Sequence, residues 1–189
     1  MKHRCQWAEG NVYNEVYHDT KWGVTVHEDR LFFEMIVLDG MQAGLSWLTI
    51  LKKYDNFVRA YDAFDPEKVA LYDDQKVLEL LQDAGIIRNK LKIRAAIQNA
   101  KAFLAIQKEY GSFDTYIWQF VDGKTIKNTR KHRHEIPAKT KEAEEMSKDL
   151  LRHGFKFVGP TICYAFMQAA GLVNDHEVAC FRYTEVEAK

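Results

Sequence analysis

His153-Gly154-Phe155-Lys156-Phe157-Val158-Gly159-Pro160, followed by the apolar run Thr161 to Ala170, is the stretch from which the fold can be worked outward. A helical pattern from about Thr140 to Arg152 leads into it, and Pro160 suits a first helical turn because it has no N–H to lose. The expectation is therefore helix, tight glycine-punctuated turn, helix. A helix–hairpin–helix of this kind can aim backbone N–H groups, backed by a helix N-terminus, at a phosphate. Its candidate contacts are Val158, Gly159 and Thr161. Taken alone, a glycine-containing turn between helices is more often a plain connection.

The same helical period runs through most of the chain. Leu31, Phe32, Met35, Ile36 and Leu38 recur at helical spacing, with Asp29 as the expected cap. Ser46 can cap a second helix whose face continues through Tyr54, Phe57 and Tyr61. Asp65-Pro66 and Asp73-Asp74 each open a further helix, and Gly85 closes the second. The pattern from about Asn89 to Tyr110 is the longest, and Gly111-Ser112 stops it and caps the next. Residues 122–139 are polar and aperiodic and are expected to form a loop. No alternating strand and no internal repeat stands out. The fold class predicted is all-α, a single domain over residues 1–189 with room for two helical lobes.

The 189 residues, 47% hydrophobic and 29% charged, suffice for a sizeable core. No apolar run suggests a membrane span, and the N-terminus lacks the apolar stretch of a secretory signal, so a cytoplasmic location and reduced cysteines are expected. Twenty-seven basic and 27 acidic side chains cancel, which argues against a protein that coats nucleic acid by bulk attraction. Local basic clusters remain at Arg88 to Arg94 and at Lys127 to His134; either one taken alone is better read as a solvated helix face or polar loop. Nothing calls for an oligomer, and a monomer is expected.

Cys5 and His18 near one end, with His176 and Cys180 near the other, supply a Cys₂His₂ set suited to tetrahedral zinc. A lone His-x₃-Cys is more often incidental, so the spacing alone decides little. Four protein ligands leave no open position, which makes such an ion structural, clipping together two ends that lack a core of their own. Cys163, inside an apolar run, reads as a small buried hydrophobe.

Four blocks, Tyr17-His18-Asp19-Thr20-Lys21-Trp22-Gly23, Gln42-Ala43-Gly44-Leu45-Ser46-Trp47, Gly154-Phe155-Lys156-Phe157-Val158-Gly159 and Gly171-Leu172-Val173-Asn174-Asp175-His176, occur in this order. Together they resemble the 3-methyladenine DNA glycosylase I family, a divergent branch of the helix–hairpin–helix glycosylases, over nearly the whole chain from Cys5 to Cys180. The resemblance implies a structural zinc joining the termini, with Cys5, His18, His176 and Cys180 as ligands. It implies that Tyr17 and Trp47 stack on a flipped base, that Trp22 belongs to the same cluster, and that Asp39 reads the base where glutamate is more usual. Leu45, beside Gly44, matches the wedge that fills the gap left in the duplex. A tyrosine expected three residues before Tyr17 is replaced by Asn14.

Methylation at N3 leaves adenine cationic and weakens its glycosidic bond, so aromatic faces and a carboxylate suit its recognition. In the alignment that the resemblance implies, the catalytic aspartate of other glycosylases falls on Asn174, counted with the substrate-binding residues, and the Schiff-base lysine falls on Thr161. The activity implied is monofunctional hydrolysis of the glycosidic bond in double-stranded DNA containing 3-methyladenine, without strand cleavage. A non-catalytic binder of damaged DNA is the alternative; a zinc hydrolase is disfavoured because all four ligands are committed. Each aromatic residue taken singly would be read as core.

Overall fold

The computed structural model describes residues 2–186, and helices dominate it. In chain order they are α1 (Val12–Thr20), α2 (Asp29–Gln42), α3 (Trp47–Leu51), α4 (Tyr54–Ala60), α5 (Pro66–Val69) and α6 (Asp74–Gln82). Then follow α7 (Lys90–Tyr110), α8 (Phe113–Trp118), α9 (Lys141–Arg152), α10 (Pro160–Ala169) and α11 (Arg182–Glu185). Short polar side chains start them as the sequence suggests. Ser46, Asp65, Asp73, Asn89, Ser112 and Thr140 each accept a hydrogen bond from a first-turn N–H.

Helix α2 is the hub. Phe32, Phe33, Ile36, Val37, Leu38 and Met41 are all buried, so it is apolar nearly all round and must be wrapped. Helix α7 covers one side with Ile93, Ala96, Ala100 and Phe103, while α10 covers another with Phe166 and Met167. Helix α8 closes the end, where the Phe103 and Phe113 rings stack at 4.2 Å.

Four features depart from the sequence expectation. Asp29 is not the cap of α2, since Glu28 holds that position. Its carboxylate instead accepts from Phe113 N at 2.8 Å, Asp114 N at 2.9 Å and Gln107 Nε2 at 2.6 Å. A side chain at the start of one helix thus satisfies the orphan donors of another, which local pattern cannot reveal. Second, Val12–Thr20 is a helix, capped by Asn11; its exposed Val12, Tyr13 and Val16 hide any amphipathic signal. Third, the helix expected to run on from Ser46 through Tyr61 breaks at Lys52 and Lys53. Fourth, residues 122–139 are not wholly irregular: β1 (Ile126–Lys127) pairs in parallel with β2 (Val173–Asn174). Two residues per strand are too few for alternation to show.

Two glycines from the sequence blocks let the chain ends close on the body. Gly171, at φ +75°, lies so near Thr25 and Val24 that a Cβ would meet their backbone at 2.7 Å. Gly23, at φ +77°, would bring a Cβ within 2.8 Å of His176 Nε2. Both positions are closed to L side chains on two counts, dihedral and space.

Replacing Asp29 by Ala strands two first-turn N–H groups of α8 and should lower stability by about 1–3 kcal/mol. In urea this appears as a lower midpoint with unchanged slope; an unmoved midpoint would show that water serves α8 equally well.

Candidate metal centre and the adjoining aromatic pocket

Cys5, His18, His176 and Cys180 converge, all buried, with their ligand atoms within 4.8 Å of one another. Helix α1 carries His18, while His176 and Cys180 sit on a turn after β2 rather than on a helix. Cys5 Sγ lies 3.5 Å from His176 Nδ1, and Cys180 Sγ lies 3.4 Å from His18 Nε2 and 3.7 Å from His176 Nδ1. A tetrahedron with metal–sulfur arms of about 2.3 Å and metal–nitrogen arms of about 2.0 Å has S···N edges of about 3.5 Å. The donor set therefore fits a four-coordinate cation.

The groups behind the ligands fit as well. His18 Nδ1 is 2.9 Å from Asp19 Oδ1, and Arg4 grips Asp19 at 2.8 and 2.9 Å, fixing the ring so that Nε2 faces the cluster. His176 Nε2 approaches Trp22 O at 3.2 Å, which leaves Nδ1 inward. Backbone N–H groups of Glu177 and Arg182 donate to Cys5 and Cys180 sulfur at 3.3 and 3.4 Å, an arrangement that favours thiolate. Contact with Cys5, and then with the two imidazoles, pulls the Cys180 thiol well below its ordinary range. The same contact, with burial, raises Cys5.

Aromatic rings lead outward from this cluster. Trp22 packs edge-on to His176 at 4.6 Å, Trp7 meets Trp22 at 5.0 Å, and Tyr17 meets Trp47 at 5.1 Å. Beyond them lie two adjoining cavities that share Tyr17, Asp39, Trp47 and Ala169. One, of about 400 Å³, is walled by apolar groups including Val16, Met35, Leu38 and Leu51. The other, of about 350 Å³, is lined by Trp7, Trp22, Gln42, Arg133, Ile136 and Gln168. With Tyr17 and Trp47 in contact, a purine fits against the pair but not between them, because two stacked contacts need about 7 Å.

Asp39 sits where the cavities meet. It is only 5% exposed, Oδ2 has no hydrogen-bond partner, and burial alone pushes its carboxyl up to about 8. The Trp47 Nε1 donor is likewise unmatched. Buried polar atoms are nearly always satisfied, so two orphans on residues that line the same cavity mark a place suited to a ligand. Glu34, the other acid of the pocket wall, is engaged by Tyr54 O–H at 2.8 Å and by Lys21 at 3.6 Å.

The sequence profile of the methyladenine glycosylase family matches residues 7–183. This chain belongs to that family. It is 46% identical over 180 residues to DNA-3-methyladenine glycosylase 1 of Escherichia coli strain K12, covering 95% of this chain and 96% of that protein. A DNA-3-methyladenine glycosylase of Haemophilus influenzae is 42% identical over 181 residues, covering 95% and 97%. Among solved structures, a crystal structure of 3-methyladenine DNA glycosylase I aligns with TM-score 0.92 at 46% identity, covering 95% of this chain and 98% of that one. The Staphylococcus aureus glycosylase, whose structure concerns recognition of 3-methyladenine, aligns with TM-score 0.91 at 34% identity, covering 94% and 95%.

Against that family frame, Tyr17, Trp22, Asp39 and Trp47 share the pocket wall. Gly44, at φ +77°, and Leu45, 41% exposed, follow the end of α2 and lie outside both cavities. Val158 is buried and its carbonyl accepts from Ser147 Oγ at 2.7 Å, whereas Thr161 is exposed. Asn174 does not join the pocket wall. Fully buried, it accepts from His176 N at 3.2 Å and donates to Tyr183 O at 3.0 Å, so its amide shapes the turn that bears His176.

Trp7, Met35, Gln168 and Arg133 also line the pocket and were not anticipated. Trp7 carried a signal, standing two residues from Cys5; the others come from packing alone. Lys92 is equally hidden from sequence. Lys92 is only 8% exposed, and its ammonium group donates to Met41 O and Ala43 O at 2.9 and 2.5 Å, capping the C-terminus of the helix that carries Asp39.

Asp39 has a proton affinity in the folded chain far above the unfolded value near 3.9. The native state therefore binds more protons between about pH 4 and pH 8, and its stability falls as pH rises through that window. Asp39→Asn should remove this slope, leaving the variant more stable than the parent at pH 9, with the difference shrinking toward pH 4. Parallel Tm–pH curves for the two proteins would contradict the burial of an uncompensated acid.

Proposed function

We propose that the chain is a monofunctional DNA glycosylase that releases 3-methyladenine from alkylated double-stranded DNA, as the first step of base excision repair. The observation that carries this is the orphaned, raised carboxyl of Asp39 among Tyr17, Trp22 and Trp47. A cationic base offers such a group what the protein withholds, namely a positive charge and an amine donor. The aromatic faces attract the same cation. Asp39 thus reads the base, Tyr17 and Trp47 stack against it, and Trp22 and Trp7 form the wall behind.

The glycosidic bond of this base is already weak, so excluding water from the base and holding it in the pocket supply most of what is needed. No Schiff-base lysine stands at Thr161, in keeping with hydrolysis alone. Leu45, presented by Gly44, would occupy the space the flipped nucleotide leaves. The turn at Val158, Gly159 and Thr161, with its free helix N-terminus, would take a phosphate as a helix–hairpin–helix does. The residues act as a single domain, with the pocket between the chain ends and α2.

The Cys₂His₂ cluster is taken as a structural zinc site, one ion per chain. Its ligands and their supporting groups position Trp22 and Tyr17 and take no part in bond breaking.

Incubation with N-methylated duplex DNA, followed by chromatography of free bases, should show 3-methyladenine above the spontaneous rate. Binding without release would replace this reading by that of a non-catalytic damage binder. Since the carboxylate must ionise to meet the cation, kcat/KM should rise with pH and level off above about 8. Asp39→Asn should lose that inflection together with at least tenfold in kcat/KM, while remaining folded.

Elemental analysis should find one zinc per chain. Its removal by a chelator should lower Tm and shift the tryptophan fluorescence of Trp7 and Trp22. Full zinc content in a Cys5→Ala/His176→Ala variant would show the ligand set to be wrong.

A further inference from the structure

The chain has two basic clusters, and the structure separates them. Around Arg88 to Arg94, half of the charge is met locally: Arg94 pairs with Asp74 at 2.9 Å in a groove that also holds Asp73, and Lys92 is buried on backbone carbonyls, while Arg88 and Lys90 are exposed and none of the four lines the aromatic pocket. Between Lys127 and Lys139, five Lys and Arg stand against the single acid Glu135, with His132 and His134 added. Among the described residues, neither Lys131 nor Arg133 forms an ion pair, and both are exposed. Lys139 is paired with Glu144 at 2.5 Å.

This second cluster is rigidly mounted. Its root is tied by β1–β2 pairing, by Val178 N donating to Arg130 O at 2.8 Å, and by Asn128 Nδ2 donating to Asp175 Oδ1 at 2.8 Å. Asp175 is itself buried, with Arg130 Nε at 3.5 Å and with Tyr164 and Gln168 of α10 donating to its other oxygen. At the tip, Glu135 Oε2 accepts from Lys131 N at 2.8 Å, closing a 3-10 turn over Arg133–Glu135, and the His132 and His134 rings stack at 5.4 Å. The tip also reaches the site, because Arg133 and Ile136 line the cavity that holds Asp39, Trp7 and Trp22.

We propose that residues 127–139 form a preset basic arm that binds the phosphates flanking the extruded nucleotide, with Lys131 and Arg133 as the contacting side chains. The arm gives a chain of zero net charge a positive field at the rim of its pocket. Its ordering is completed by Asp175 before any ligand arrives, so binding loses little backbone entropy. The location of the partner beside the pocket rests on the glycosylase reading, whereas the attraction to a duplex backbone does not.

Binding of the full-length, metal-replete protein to an unmodified duplex, measured across salt concentrations, tests this. Each phosphate contact contributes about 0.9 to the slope of log K against log salt. The Lys131→Ala/Arg133→Ala variant should therefore show a slope shallower by about 1.8 than the parent, and Arg133→Lys should retain the parental slope. An Arg94→Ala/Lys101→Ala variant should keep it too. An unchanged slope in the first variant, or the loss appearing in the last, would overturn the arm. Base release is scored separately on methylated duplex. A shallower slope in a protein that releases no base would sink the glycosylase reading and keep the arm, and excision with an unchanged slope would do the reverse.

Discussion

The molecule depends on the meeting of its two ends. Cys5 and His176 are 171 residues apart, yet their ligand atoms lie 3.5 Å from each other. Closing so long a loop is entropically costly, and the residues that close it bury little apolar surface beyond Trp22, Ala169 and the cysteines themselves. Four donors suited to one cation converge where a core is missing. What they hold in place is an aromatic wall: His18 is adjacent to Tyr17 on α1, and His176 supports Trp22 edge-on. Gly23 and Gly171 allow the approach, and Asn174 spends its amide on the turn that delivers His176. The pocket therefore has one wall made by the chain ends and one by α2.

The α2 wall works in the opposite way. It is fixed by apolar burial on nearly all sides, and that same burial makes Asp39 costly. Among the described residues no donor reaches Asp39 Oδ2, and its proton is held to about pH 8. Lys92 holds the end of the helix from behind by taking two carbonyls, rather than by pairing with the acid. The carboxyl is thus kept in position and left unsatisfied.

Much of this was legible in the chain. Helix starts at Ser46, Asp65, Asp73, Asn89, Ser112 and Thr140 follow from local chemistry, because a cap and its first turn are neighbours in sequence. The four metal-type ligands could be picked out by residue type, and four ordered blocks carried the family resemblance that tied them to Tyr17 and Trp47 and, through it, to Asp39. What stayed hidden was decided by distant packing. Asp29 looks like a local cap but serves α8, 84 residues on. The family resemblance puts Asn174 at the position of a catalytic acid, yet its side chain faces backbone, not the cavity. Trp7, Gln168 and Arg133 enter the pocket only because the termini, α10 and the basic loop converge there.

The shorter acid at position 39 can be understood from the cation it is proposed to meet. At pH 7, ionising a carboxyl held at about 8 costs about 1.4 kcal/mol. An unmodified adenine is neutral and offers only its amine, so it does little to offset that cost. A cationic 3-methyladenine adds a full charge inside a site where the effective dielectric is low, and at close range the attraction exceeds the cost. On that proposal the uncompensated burial of Asp39 is itself a filter: it disfavours the abundant normal base and favours the damaged one before any bond is broken. A glycosylase that reads its base in this way would have its selectivity in this balance, and the aromatic wall of Tyr17, Trp22 and Trp47 would set the distance over which the balance operates.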